Sequence, residues 1–124
     1  MNAATAIILF AHGARDPRWA LPFEAVAAEV RRQWPQAQVQ LAYLEFMSPG
    51  LVDAAHAAIA QGARQVRVVP LFLGAGGHVR NDLPALLDTL RASHPSVGFE
   101  LEPAIGERPE VVQAMANYIV GLAR

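Results

Sequence analysis

Three side chains that can bind a metal ion are evenly spaced along the sequence. His12, Glu45 and His78 follow one another at intervals of 33 residues. Two imidazoles and a carboxylate suit a borderline divalent ion such as Co²⁺, Ni²⁺, Fe²⁺ or Zn²⁺. A neutral imidazole, whose unperturbed pKa is about 6.5, can also accept a proton. The three groups therefore predict a site for metal binding or proton transfer, provided that the fold brings them together.

The elements that must position these groups follow a repeating pattern. A short apolar run, a turn and a helical stretch occur four times in succession. The predicted strands cover residues 6–10, 39–44, 66–73 and 97–101. The first two predicted helices begin at the cap-plus-proline pairs Asp16-Pro17 and Ser48-Pro49 and end near Trp34 and Gly62; the third covers about 82–93, and the fourth begins at Pro109.

This alternation of strands and helices predicts an α/β fold. We expect a single four-unit βα domain over residues 1–124, with a mainly parallel sheet and helices on both faces. The third strand is the most apolar and is expected near the centre, although Pro70 within it suggests a local bulge or an edge. The order of the strands cannot be read from this pattern.

In an open parallel sheet, ligands bind beyond the carboxyl ends of the strands. His12 follows the first predicted strand, Glu45 follows the second, and His78 ends the loop after the third. Each alone has a simpler explanation, such as a loop hydrogen bond or a favourable interaction of Glu45 with a helix dipole. Together they predict a site at one edge of the sheet. His56 and His94 belong to predicted helices and are expected to be structural or solvated.

The composition excludes several other functions. The net charge is −1 and all ten basic residues are arginine, so there is no basic surplus for binding nucleic acid. The absence of cysteine removes disulfides, thiolate metal sites and cysteine nucleophiles. The apolar run at residues 6–11 is too short for a membrane span or the hydrophobic region of a signal peptide. We therefore expect a cytoplasmic protein that has no membrane partner.

Motifs for other chemistries are incomplete. The glycines within residues 74–77 do not form a G-x-G-x-x-G fingerprint and follow the third strand, which argues against a dinucleotide site. Ala11 precedes the pair His12-Gly13, where histidine phosphatases have an arginine. A G-x-S-x-G elbow, which a serine hydrolase would need, is also missing from the sequence.

Three collinear segments resemble the class II chelatases, in particular the short sirohydrochlorin cobaltochelatases of the CbiX type. They are LFAHGARDP at residues 9–17, YLEFMSP at 43–49 and VPLFLGAGGHVRNDLP at 69–84, and the third is the most specific. The likeness spans about residues 7–106. The family usually has serine where this chain has Ala14, and loss of the hydroxyl is expected to affect a contact to a substrate carboxylate or a water and not the expected metal ligands.

The resemblance implies a chelatase-like fold and an enzyme that inserts Co²⁺ into sirohydrochlorin, a polyanionic tetrapyrrole, for cobalamin synthesis. His12 and His78 are then expected to hold the metal or accept pyrrole protons, and Glu45 to complete the ligand set or relay a proton. Co²⁺ is the expected substrate metal, and no organic cofactor is expected. Because the chain is half the length of the two-lobed members, it is expected to pair as a homodimer that recreates the second wall of the cleft.

Side chains near the same loops are expected to bind the macrocycle. Its carboxylates need forked cationic partners, which Arg15, Arg18 and Arg80 can supply. Apolar side chains such as Phe46, Met47 and Leu73 can pack either on the ring face or in the core. Three alternatives stay open: insertion of iron or nickel into the same tetrapyrrole, a non-catalytic carrier of metal or tetrapyrrole, and a phosphate-handling α/β enzyme.

Overall fold

The computed structural model describes residues 4–74 and 76–123, without the side chain of His78. The strands are β1 (Thr5–Ala11), β2 (Gln38–Tyr43), β3 (Gln65–Pro70) and β4 (Gly98–Leu101). The helices are α1 (Leu21–Gln33), α2 (Leu51–Ala60), α3 (Gly77–Ser93) and α4 (Pro109–Gly121), and 3-10 turns cover Pro17–Ala20 and Ile105–Glu107. No helix within the described ranges is long and apolar enough to cross a membrane.

The four strands form one parallel sheet in the order β2-β1-β3-β4. The predicted α/β class, the βα units and the interior position of the third strand are confirmed. Residues 6–11 of β1 are all buried, because this strand has a neighbour on each edge and helices against both faces. The continuous apolar run in the sequence is the signature of such a strand.

The core is divided by the sheet into a larger and a smaller part. On one face, Ile8 and Phe10 of β1 pack with residues of α2 and α3, among them Leu87, which is fully buried. On the other face, Ile7 and Leu9 pack with residues of α1. Alternate residues of one strand thus anchor helices on opposite faces, as the period of a strand requires.

The prediction for Pro70 was wrong, since β3 is neither bulged nor at an edge. Pro70 is the last residue of β3 and pairs in register with Phe10. On its other side, β4 pairs with β3 only as far as Val68. The ladder between β3 and β4 therefore needs no N–H donor at position 70. Proline, which lacks this N–H, is tolerated at the end of an interior strand.

The prediction that a helix begins at Ser48-Pro49 was also wrong. The Ser48-Pro49 peptide is cis, and the Pro49 carbonyl accepts a hydrogen bond from the Tyr43 N–H at 2.9 Å. The segment after β2 therefore folds back on the strand before α2 begins at Leu51, with Gly50 at its N-cap. At Asp16 the same sequence signal does cap a helical segment, since its side chain accepts from the Arg18 N–H, but the first turn is 3-10 and α1 begins only at Leu21.

Helix α3 begins five residues earlier than the predicted 82–93. Gly76 is its extended N-cap residue, and the Arg80 N–H donates to the Gly76 carbonyl at 2.9 Å. The glycines that favour a loop in the sequence lie just before this helix and at its first position. His78 is therefore in the first turn of α3. The prediction that it ends a loop was wrong.

Candidate active site

A crevice is built into the sheet edge by the order of the strands. The chain leaves β1 toward α1 on one face and leaves β3 toward α3 on the other face. Neighbouring parallel strands whose connections diverge in this way leave a crevice at their carboxyl ends, where ligands bind in open α/β sheets. His12 is the first residue after β1, and the backbone of His78 is in the first turn of α3, so the two positions lie on either side of this crevice.

The backbone of the His12 segment is joined directly to that of Glu45. Hydrogen bonds continue past the ends of β1 and β2: the Leu44 N–H donates to the Ala11 carbonyl at 2.9 Å, and the Glu45 N–H donates to the His12 carbonyl at 3.0 Å. Gly13 has φ +88°, and a Cβ added there would lie 1.9 Å from the Glu45 carbonyl oxygen. Only glycine therefore allows the two segments to approach this closely.

The His12 side chain is exposed and is oriented by an aromatic contact. Its ring lies 4.3 Å from that of Phe72, measured between centroids, at an interplanar angle of 34°. Phe72 itself is buried and packs edge-on against Phe10 at 6.0 Å. A core aromatic after β3 thus holds a catalytic candidate after β1. Sequence reasoning missed Phe72, because nothing distinguishes it from the other apolar residues of its segment.

The structure tests the predicted trio only in part. It joins the backbones of His12 and Glu45, and both side chains are exposed at the sheet edge. Among the side chains that the structure describes, no three histidine or carboxylate groups could hold a metal ion together. The side chain of His78 lies outside the described residues, so a shared site for these three residues stays a prediction.

The three predicted arginines differ in their surroundings. The Arg15 guanidinium carbon lies 4.8 Å above the ring centroid of Phe46, a cation–π contact that links the segments after β1 and β2. Arg80, in the first turn of α3, lies 3.4 Å from a carboxylate oxygen of Glu107 and is exposed. Both guanidinium groups thus lie at the carboxyl edge of the sheet, where they can reach an anionic ligand.

Arg18 is held by its own neighbour. Its Nη2 lies 2.8 Å from Oδ2 of Asp16, and its Nε donates to both oxygens of the same carboxylate at 3.2 Å. This pairing lowers the pKa of Asp16, chiefly through the side-chain hydrogen bonds with Arg18, and raises the pKa of Arg18. A ligand carboxylate would have to compete with Asp16 for this fork.

Exposed apolar side chains surround the crevice. Leu44, Phe46 and Leu73 all lie beyond the carboxyl ends of the strands, and their exposed fractions are 43%, 57% and 71%. The Leu73 segment is fixed in place, because the Gly106 N–H donates to the Phe72 carbonyl at 2.9 Å. A Cβ on Gly106 would lie only 2.2 Å from the Leu73 carbonyl oxygen. Apolar surface is thus presented to solvent by a rigid edge.

Phe46 has an unusual backbone conformation for its side chain. Its φ is +68°, in the left-handed region, where a residue with a Cβ costs about 1–2 kcal/mol. Such strain tends to persist where function requires a particular side chain in a particular place. An exposed aromatic residue that is held in a strained conformation beside Arg15 is therefore a candidate for ligand contact.

One cavity opens next to the crevice, between the ends of β3 and β4 and the start of α3. Its volume is about 190 Å³, and its wall includes Phe72, Arg80, Leu83 and Glu107. Pockets for drug-sized ligands measure roughly 300–1,000 Å³. A larger flat ligand must therefore lie across the open edge rather than inside this cavity.

The sequence is similar to relatives that are named sirohydrochlorin chelatases. A relative from Methanocaldococcus jannaschii, named sirohydrochlorin cobaltochelatase, is 34% identical over 89 residues, which cover 72% of this chain and 62% of that one. A relative from Bacillus subtilis, named sirohydrochlorin ferrochelatase, is 27% identical over 89% of this chain and 42% of its own length. The matched region is thus less than two thirds of each of these relatives.

Solved structures show the same fold. A CbiX protein from Marinobacter aquaeolei VT8 has a TM-score of 0.82 and 37% identity, over 96% of this chain and 97% of that one. The sirohydrochlorin chelatase SirB from Bacillus subtilis subspecies spizizenii, in complex with cobalt, has a TM-score of 0.79 and 26% identity, over 100% of this chain and 52% of that one. The model of the CbiX family matches residues 6–120. The chain belongs to the CbiX family.

Proposed function

We propose that this protein is a chelatase that inserts Co²⁺ into sirohydrochlorin. The observation that carries the proposal is the crevice itself: an exposed histidine at the carboxyl end of β1, bonded through its backbone to the Glu45 segment and bordered by exposed apolar side chains. The relatives that are named sirohydrochlorin cobaltochelatase support the choice of substrate.

The reaction requires an exchange of two protons for one metal ion. Co²⁺ loses water ligands and binds the four inner nitrogens, and the two protons on those nitrogens leave. In the proposal, His12 and His78 hold the ion on one side of the ring and transfer it as the new bonds form. Each imidazole that releases the metal becomes a free base able to accept one pyrrole proton. Glu45 completes the ligand set or passes a proton to water.

The macrocycle is large, flat and anionic, and the sheet edge offers complementary groups. Phe46 and Leu73 present exposed apolar surface against which a ring face can pack. Arg15, Arg18 and Arg80 are the proposed partners for ring carboxylates, because guanidinium groups bind carboxylates through paired hydrogen bonds. Arg18 already pairs with Asp16 and Arg80 with Glu107, so a ring carboxylate has to compete for both of these guanidinium groups.

Cobalt is the first choice of metal, and iron is the second. The Methanocaldococcus relative is named for cobalt and the Bacillus subtilis relative for iron. A donor set of two imidazoles and a carboxylate discriminates poorly among first-row ions, which also leaves nickel as an alternative. Selection then depends on geometry and on the supply of metal in the cell.

Two copies of the chain are proposed to complete the cleft. The cavity of about 190 Å³ is too small to enclose a tetrapyrrole, and the chain corresponds to 52% of the SirB chain. A second copy can supply the wall that the longer chain carries within itself. We propose that this homodimer acts in the cytoplasm, as the sequence predicts.

The test is a rate measurement with purified protein, sirohydrochlorin and Co²⁺. We expect the absorbance of the metal-free ring to change many times faster than in the protein-free control, with several turnovers per chain. A change that stops at one equivalent per protein would indicate a carrier and would contradict the enzyme. Parallel reactions with Fe²⁺ and Ni²⁺ rank the metals. Hydrolysis of a phosphoester in place of metal insertion would favour the phosphate-handling alternative.

Replacing Phe46 with glycine should separate stability from substrate binding. Glycine removes the left-handed strain of about 1–2 kcal/mol and adds about 0.5–1 kcal/mol of chain entropy, so the free energy of unfolding should stay level or rise slightly. The KM for sirohydrochlorin should rise severalfold, because an aromatic contact surface is lost. Phe46→Ala is the matched control, since it loses the ring but keeps the strain. If KM is unchanged in both variants, Phe46 does not contact the substrate.

A further inference from the structure

Helix α4 exposes an apolar face that a lone copy of the chain does not cover. This face consists of residues at helical spacing, Val112, Met115 and Ile119 within the helix and Leu122 just past its end, and their exposed fractions are 48%, 37%, 62% and 67%. No residue of α4, all of which the structure describes, is buried. The substantial contacts of this helix are with the 3-10 turn that precedes it. An amphipathic helix normally packs its apolar stripe against a core.

This helix needs a partner surface to be stable. A helix of 13 residues is marginal in water even when its residues favour helix formation, and α4 is rich in valine, isoleucine and tyrosine, which do so only weakly. Within its length it carries a single charged residue, Glu110. Packing of the apolar stripe is the remaining source of stability.

A matching surface lies on α1. Arg31 extends from one flank of this helix and donates to the Val39 carbonyl of the edge strand β2 at 2.8 Å. The opposite flank, toward β1 and β3, carries Val26, Val30 and Trp34 at intervals of four residues. An open groove of about 430 Å³ runs along this flank. The spacing of its apolar residues is that of a helix-docking surface.

The sheet beside this groove is only partly covered. Ala27 of α1 packs over β1. Val69, near the end of β3, and Leu71, just after this strand, are half-buried at the margin of the smaller core. α4 does not line the groove. The same chain therefore carries an uncovered apolar helix and an uncovered apolar groove.

We propose that α4 of each copy docks in the α1 groove of a second copy, so that the two chains exchange their last helices. This inference rests on the pairing proposed above and assigns its surface. A twofold axis satisfies both surfaces at once, because each copy offers one helix and one groove. The double length of SirB, of which this chain covers 52%, supports a second copy as the occupant.

The composition of α4 argues against a membrane as the occupant. Helices that lie on anionic membranes carry lysine or arginine on their polar face. The polar face of α4 instead carries Glu110, Gln113 and Asn117. A largely apolar protein groove, lined by Val26, Val30 and Trp34 together with Glu29 and Gln33, is the better complement to this helix.

Light scattering after size exclusion tests the surface. The wild-type protein should have twice the 13.3 kDa mass of one chain. Ile119→Glu should elute as a folded monomer, because a carboxylate would be buried in the groove. Gln113→Glu adds the same charge to the polar face and should remain a dimer. A wild-type monomer would overturn both the pairing and this inference. A dimer that survives Ile119→Glu would overturn the α4 assignment alone.

Cross-linking shows which chain receives the helix. Because the sequence contains no cysteine, Met115→Cys and Val26→Cys introduce unique thiols on α4 and α1. The two variants are prepared as separate chains with different tags, mixed, and treated with a flexible bismaleimide. Exchange predicts a covalent heterodimer. In the doubly substituted chain, a cross-link found only within single chains would mean that α4 folds back on its own groove, which contradicts the proposal.

Discussion

Replacing His12 with alanine should lower the rate of cobalt insertion by about a hundredfold or more while the protein stays folded, since positioned acid–base groups contribute roughly 10²–10⁴-fold. The side chain is exposed, and apart from its contact with Phe72 it adds little to packing. Initial rates with sirohydrochlorin and Co²⁺ measure the loss, and circular dichroism checks the fold. A variant that keeps the wild-type rate would remove His12 from the metal-handling site.

The same loss is expected for His78→Ala, because in the proposed function the two imidazoles act on the same ion. His56→Ala is the matched control: His56 lies on α2, where its ring packs against that of His94 at 5.2 Å, and the rate should be unchanged. If His78→Ala unfolds the chain, its role is structural. If the rate of His56→Ala is as low as that of His12→Ala, the loss of rate follows from the removal of any histidine and is not specific to the site.

Replacing Gly13 with alanine should damage both stability and activity. Its φ of +88° costs a residue with a Cβ about 1–2 kcal/mol. The new Cβ would also lie 1.9 Å from the Glu45 carbonyl oxygen, so the two segments must separate. We expect the free energy of unfolding to fall by more than about 2 kcal/mol and the rate of metal insertion to fall with it, because His12 and Glu45 move apart.

Gly62→Ala separates the two contributions. Gly62 has φ +100°, but no atom lies within 4 Å of an added Cβ. This variant should therefore lose only the conformational part, about 1 kcal/mol in urea denaturation, and keep full activity. Equal losses in the two variants would mean that the close approach of Gly13 to Glu45 adds nothing to stability or to the arrangement of the site.

The fold was largely predictable because its signals are local or periodic. The apolar run of β1 predicts a strand covered on both faces, and Asp16-Pro17 predicts a helical start. The same reasoning failed at Ser48-Pro49, where a hydrogen bond from Tyr43 fixes the chain in another conformation. Hydrogen bonds between residues that are distant in the sequence decide where such a helix begins. These contacts cannot be predicted from one sequence. The order of the strands depends on the same long-range pairing.

The site was predictable in its location but not in its contacts. The ends of the strands could be identified, so His12 and Glu45 were expected at the same edge of the sheet. In the structure the Glu45 N–H donates a hydrogen bond to the His12 carbonyl there. The aromatic contact of Phe72, the left-handed backbone of Phe46 and the capture of Arg18 by Asp16 depend on precise positions in space. Residue type and spacing do not determine these contacts.

The connections after β1 and β3 leave toward opposite faces of the sheet, and this has a consequence for how metal preference changes among relatives. The crevice arises from the path of the main chain, so it does not require any one side chain at the rim. Residues there, such as Ala14 and Glu45, can be exchanged without disturbing the interior of the sheet. The proposed ligand set therefore predicts that metal preference changes through a few point substitutions while the scaffold stays the same.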